Sequence, residues 1–182
     1  MKEQTKKLIA YLKLLGIEIK NDSFESRIKV QKLAYIIQNI LGKKLYNFNF
    51  YIRGPYSREL TNDYFSYIND FINRKTDYEP KKDEKERLEE VKQLICSMSI
   101  SQLEIVADLI FLRNEMGLNE DEAEEKLHEL RPQFKIEDIW RATNMIKELF
   151  LTKELRDKIM KSLEKEIEEW ENASNECLGR FM

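Results

Sequence analysis

Apolar residues recur every three or four positions over most of the chain, and this spacing predicts a mainly helical protein. Leu8, Tyr11, Leu12 and Leu15 share one face of a first helix that stops at Gly16, a residue suited to the left-handed position that closes helices. Asn21-Asp22-Ser23 supply turn and N-cap chemistry for a second helix, about Phe24 to Leu41. Its inner face carries Val30, Leu33, Ala34, Ile37 and Leu41, and Gly42 ends it. Leu60, Tyr64, Tyr67, Ile68 and Phe71 predict a third helix, and Leu88, Val91, Leu94 and Ile95 a fourth. Ser101 with Glu104 three residues on predicts a capping box that opens a fifth. Its run LEIVADLIFL is apolar nearly all round, which predicts the buried centre of the domain, with Gly117 as its end. Asn119 and Glu122 repeat the cap logic for a sixth, acidic helix that stops before Pro132. A seventh, about Ile136 to Phe150, turns Ile139, Trp140, Thr143, Ile146 and Phe150 inward.

One segment has a different period. In YNFNFYI, Tyr46, Phe48, Phe50 and Ile52 alternate with polar or exposed positions, which predicts a half-buried strand over 46–52. A lone strand cannot satisfy its own backbone groups. Ile17 to Lys20, which also alternates, is the internal candidate to pair with it; a strand added by another protein is the functional alternative. The fold class expected is therefore mainly α, a compact multi-helix single domain over residues 1–150 with one small β element. Residues 151–171 space Leu155, Ile159, Leu163 and Ile167 by four. They predict an amphipathic helix that either packs on the domain or serves association, and 172–182 reads as a flexible tail.

Composition narrows the class. Hydrophobic residues make up 42% of the 182 and charged residues 36%, which suits amphipathic helices around a real core. No apolar stretch approaches the roughly 20 residues that span a bilayer, and no small-residue cleavage site follows the first apolar patch. No membrane association is expected, and the location expected is cytoplasmic. Two distant cysteines, Cys96 and Cys177, are too few for a disulfide framework or a zinc site. Both read as free thiols, Cys96 buried and Cys177 in the tail.

Chemistry finds little foothold. The five glycines sit singly, so no phosphate-binding loop is present. The one histidine, His128, lies in the acidic helix, where Glu122, Glu124, Glu125 and Glu129 read as a solvated face. No nucleophile has a base partner, so no enzyme, metal site or cofactor is expected. The net charge of −3 is unevenly spread: 27–57 holds Arg27, Lys29, Lys32, Lys43, Lys44 and Arg53 with no acid. With Arg58 these residues could form a basic patch, and a helix starting at Ser57 beside two arginines could hold an anion. Nucleic-acid binding is thus the alternative reading, against a pI near 5.5.

The stretch RIKVQKLAYIIQNILGKKLYNFNFYIRGPYSREL resembles the N-terminal block of YwgA-like prokaryotic proteins, which look related to the Panacea (SocA-like antitoxin) group. LEIVADLIFL, the acidic helix and the Arg131-Pro132 corner resemble the second half of such chains, so the resemblance covers about 24–150. It implies a mainly helical fold and a role as an antitoxin-like or adaptor-like module that binds another protein, a toxin among the candidates. The residues matching its motif divide in two. Gly54, Pro55, Ser57 and Leu60, with Leu33, have structural roles. Gln31, Lys32, Tyr35, Arg53, Tyr56 and Arg58 are the partner- or anion-binding candidates. Homodimerisation is a further alternative.

Overall fold

The computed structural model describes the backbone of residues 1–179 and the side chains of residues 1–170. Two units can be distinguished, Met1–Phe150 and Leu151–Met182. In the first, the helices are α1 (Glu3–Leu15), α2 (Phe24–Leu41), α3 (Arg58–Ser66), α4 (Ile68–Asn73), α5 (Lys82–Ser97), α6 (Ile100–Asn114), α7 (Glu120–Leu130) and α8 (Ile136–Phe150). A two-stranded antiparallel hairpin, β1 (Asn49–Tyr51) and β2 (Gly54–Tyr56), lies between α2 and α3. The second unit is one helix, α9 (Lys153–Gly179). Within 172–182, the region read as a tail, residues 180–182 lie outside the described residues, as does the side chain of Cys177.

The mainly α class holds, and α6 is its centre. Every residue of α6 from Leu103 to Leu112 is buried, and α2, α7, α8 and β2 pack around it. α1 packs on α5 at one flank. The stops follow local chemistry: Gly16 and Gly42 close α1 and α2 in the left-handed conformation. Ser23 caps α2 by accepting from Ser26 N, and the Asn119–Glu122 capping box opens α7.

Five expectations need correction. The fifth helix starts earlier, because Ser99 and Gln102 form the capping box rather than Ser101 and Glu104. The third helix is broken at Tyr67 (φ −128°, ψ 30°) into α3 and α4. In α8, Trp140 and Phe150 are exposed and Ala142 and Leu149 are buried in their place. Cys96 is exposed, although its Sγ still donates to the Leu15 carbonyl.

The fifth correction concerns the strand. Ile17 and Ile19 are buried, so their alternation is real, but they pack into the core without forming a ladder. Ile17 N instead donates to Leu12 O as part of the end of α1. The expected strand over 46–52 shrinks to Asn49–Tyr51. Its first residues are held differently, since the N–H groups of Leu45 and Tyr46 both donate to Oε1 of Gln38 on α2. The partner of β1 is the Gly54-Pro55-Tyr56 segment itself, with Asn49 opposite Tyr56 and Tyr51 opposite Gly54. Pro55 is tolerated because it sits in a strand with a free edge among the described residues.

Candidate functional site

The hairpin is gripped from α2 by two adjacent side chains. Gln31 reads the backbone of Ser57 in both directions: its Oε1 accepts from Ser57 N at 2.9 Å and its Nε2 donates to Ser57 O at 3.0 Å. A second Nε2 contact reaches Thr61 Oγ1 at 2.9 Å. Lys32 points its ammonium into the turn, donating to the carbonyls of Arg53 and, at 3.1 Å, Pro55. Both side chains are buried. One helical step thus fixes both ends of the GPYS segment, and Ser57 Oγ accepts from Leu60 N to start α3.

Below the turn lies a buried charge cluster. Asp108, in the middle of α6, is fully buried, and its Oδ2 lies 3.2 Å from Nη2 of buried Arg131. Neither Asp108 oxygen accepts a hydrogen bond among the described residues. Burial pushes the Asp108 carboxyl up to about 6, against the pull of Lys32 and Arg131. Burial likewise brings the Lys32 ammonium down to about 8, while Asp108 and Glu104 act to keep its proton. Gly54 makes the cluster compatible with the turn. It has φ +78° and passes so close to Asp108 that no side chain fits there.

Above this floor is an open hollow of about 460 Å³, walled by α2, the hairpin and, on α3, Thr61 and Phe65. Its rim carries four exposed large apolar side chains: Phe24, Tyr51, Ile52 and Phe65. Ile52 stands 84% exposed. Arginines stack on two of the rings, Arg53 over Phe24 at 5.1 Å and Arg27 over Phe65 at 5.5 Å. Each such pair is worth on the order of 0.5–1 kcal/mol at an exposed site and holds a cation beside an apolar surface. Tyr51 and Tyr56 stack across the hairpin with centroids 5.6 Å apart, and the Tyr56 phenol oxygen accepts from Thr61 Oγ1 at 2.9 Å. Clustered exposed apolar groups of this kind mark interaction surfaces more often than solvent-facing ones.

The sequence candidates therefore separate. Gln31, Lys32, Arg53 and Tyr56 line the hollow, with Gly54 and Pro55 in its floor. Tyr35 does not: it is a core residue, packed edge-on to Phe48 with centroids 5.0 Å apart and near Phe111. Arg58 is exposed on α3 outside the hollow. Leu60 is core, and Ser57 is buried, with its N–H donated to Gln31 Oε1 and its Oγ accepting from Leu60 N, so the Ser57 N–H is not open to the expected anion. Nor do the basic residues of 27–58 form one patch. Lys32 is withdrawn into the turn, Lys43 pairs with Asp83 and Glu84 at 2.9 Å, and Arg53 faces Glu104 at 3.5 Å.

Sequence reasoning missed Asp108, Glu104 and Arg131 as a unit. The signal was present as a carboxylate inside LEIVADLIFL, since an acid in the all-apolar part of a buried helix needs a cation nearby. The aromatic rim was missed because Phe24 and Phe65 lie far apart in sequence, at the starts and ends of different helices. No group of three His, Cys, Asp or Glu able to hold a metal occurs among the described residues. None of the helices described is long and apolar enough to cross a membrane. No family model matches the chain, and no curated protein or solved structure is significantly similar to it.

Proposed function

We propose that the protein is a non-enzymatic binding module, antitoxin-like or adaptor-like, as its resemblance to the YwgA-like and Panacea proteins implies. The binding surface is the hollow above the GPYS turn, and the partner is another protein that places an apolar or aromatic segment in it. The observation that carries this reading is the ring of exposed Phe24, Tyr51, Ile52 and Phe65 around a floor fixed by Gln31 and Lys32. A rigid floor lowers the ordering cost of binding, and aromatic anchors in a pocket supply most of the energy of such contacts. Arg27 and Arg53 at the rim favour acidic residues beside the docked segment. Lys32 gives two of its three N–H donors to backbone carbonyls, which supports a structural role for it over a catalytic one.

The test is purification from the native host of the wild-type chain and of a Phe24→Ala, Phe65→Ala variant, with bound proteins quantified. Both rings are half or more exposed, so the variant keeps its fold. A partner bound by the wild type and reduced tenfold or more in the variant is expected, about 1.4 kcal/mol or greater. Equal recovery of every bound protein by both chains would contradict the reading.

A further inference from the structure

Helix α9 carries two patterns that fit together. Its apolar residues Leu155, Ile159, Met160, Leu163, Ile167 and Trp170 are all exposed, and a lone helix has nothing in its own unit to cover them. They fall symmetrically about Leu163: Ile159 and Ile167 lie four residues to either side, Leu155 and Trp170 eight and seven. The charges are distributed in the opposite sense. Residues 153–161 hold Lys153, Arg156, Lys158 and Lys161 against two acids, whereas 164–170 hold Glu164, Glu166, Glu168 and Glu169 against one lysine. An apolar stripe that is symmetric end to end, with charges that reverse, is complementary to itself when the second helix runs the other way.

We propose that α9 is a dimerisation helix that pairs antiparallel with α9 of a second copy of this chain, the two-fold axis passing near Leu163. The pairing buries both apolar stripes and sets each basic half against the acidic half of its mate. A parallel pair would align like charges along the whole length. The pairing uses none of the residues that line the hollow above the GPYS turn, so its failure and that of the binding reading are distinguishable.

The full chain is measured by light scattering across a concentration series. The expected result is a species of twice the 21.9 kDa chain mass. Leu163→Glu should shift the midpoint of association at least tenfold to higher concentration, with the circular dichroism of the chain otherwise kept. A second variant, with Glu164, Glu166, Glu168 and Glu169 all changed to Lys, leaves the apolar stripe intact and should weaken association in the same direction. Orientation is read in a Cys96→Ser, Cys177→Ser background: Leu163→Cys should form an intermolecular disulfide and Leu155→Cys should not. A chain that remains monomeric throughout, whether because α9 packs on residues 1–150 or awaits a different protein, overturns the proposal. Equal cross-linking at both positions overturns the antiparallel arrangement.

Discussion

Gly54 and Asp108 are in such close approach that a Cβ on Gly54 would fall 1.5 Å from Oδ1 of Asp108. The contact joins the hairpin turn to the centre of α6, and with Lys32 it sets the height of the floor of the hollow. It makes the glycine of the GPYS segment obligatory for two separate reasons, its positive φ and the carboxylate behind it.

Gly54→Ala should therefore cost much more than a left-handed glycine usually does. At Gly42, with φ +61° and no atom within 4 Å of a Cβ, alanine should cost about 1–2 kcal/mol. At Gly54 the steric conflict adds to this, and a loss of about 3 kcal/mol or more is expected in urea unfolding. Gly54→Ala combined with Asp108→Ala should cost less than the sum of the two single losses, a non-additivity that marks direct contact.

Asp108→Asn should be destabilising by about 3–5 kcal/mol, because it leaves the buried cations Lys32 and Arg131 without their counter-charge. Chemical denaturation at neutral pH measures this. A change below about 1 kcal/mol would mean that the three charges do not depend on one another.

Much of this arrangement was legible in sequence, and the reasons for the rest are physical. The cap residues Ser23, Ser57 and Asn119 announced their helices because capping is a local interaction. The strand pairing was not legible, since Gln38 takes the N–H groups of Leu45 and Tyr46 and so ends the ladder from a different element. Lys32 had the look of a surface cation because its lysine neighbours suggested a patch; its buried ammonium is taken up by the carbonyls of Arg53 and Pro55, on the hairpin that follows. Tyr35, a binding candidate in the sequence, is a core residue. Long-range charge pairing and aromatic rims assembled from several elements leave no periodic trace.

A second buried carboxylate should govern acid stability. Burial acts to raise the carboxyl of Glu84, but hydrogen bonds from Lys43, Lys81 N, Tyr11 and Tyr78 outweigh it and bring it down to about 2. Because this folded value lies below the ordinary 4.5, the stabilisation is present above pH 4.5 and is lost as pH falls through 2. A shift of this size corresponds to on the order of 3 kcal/mol. Glu84→Gln should lower stability at pH 7 and flatten its decline between pH 4.5 and 2, as read from thermal or urea unfolding across that range. An unchanged pH profile would remove Glu84 from this role.

The claim that the hollow above the GPYS turn receives a partner protein is tested most directly by a photo-reactive phenylalanine analogue in place of Ile52, in the native host. Ile52 stands at the rim and is the most exposed of the large apolar side chains described. The prediction is one dominant cross-linked protein from this position, absent when the same probe replaces exposed Met116, which lies outside the hollow, and lost on adding Phe24→Ala and Phe65→Ala. No cross-link at residue 52, or the same products from residues 52 and 116, would contradict it.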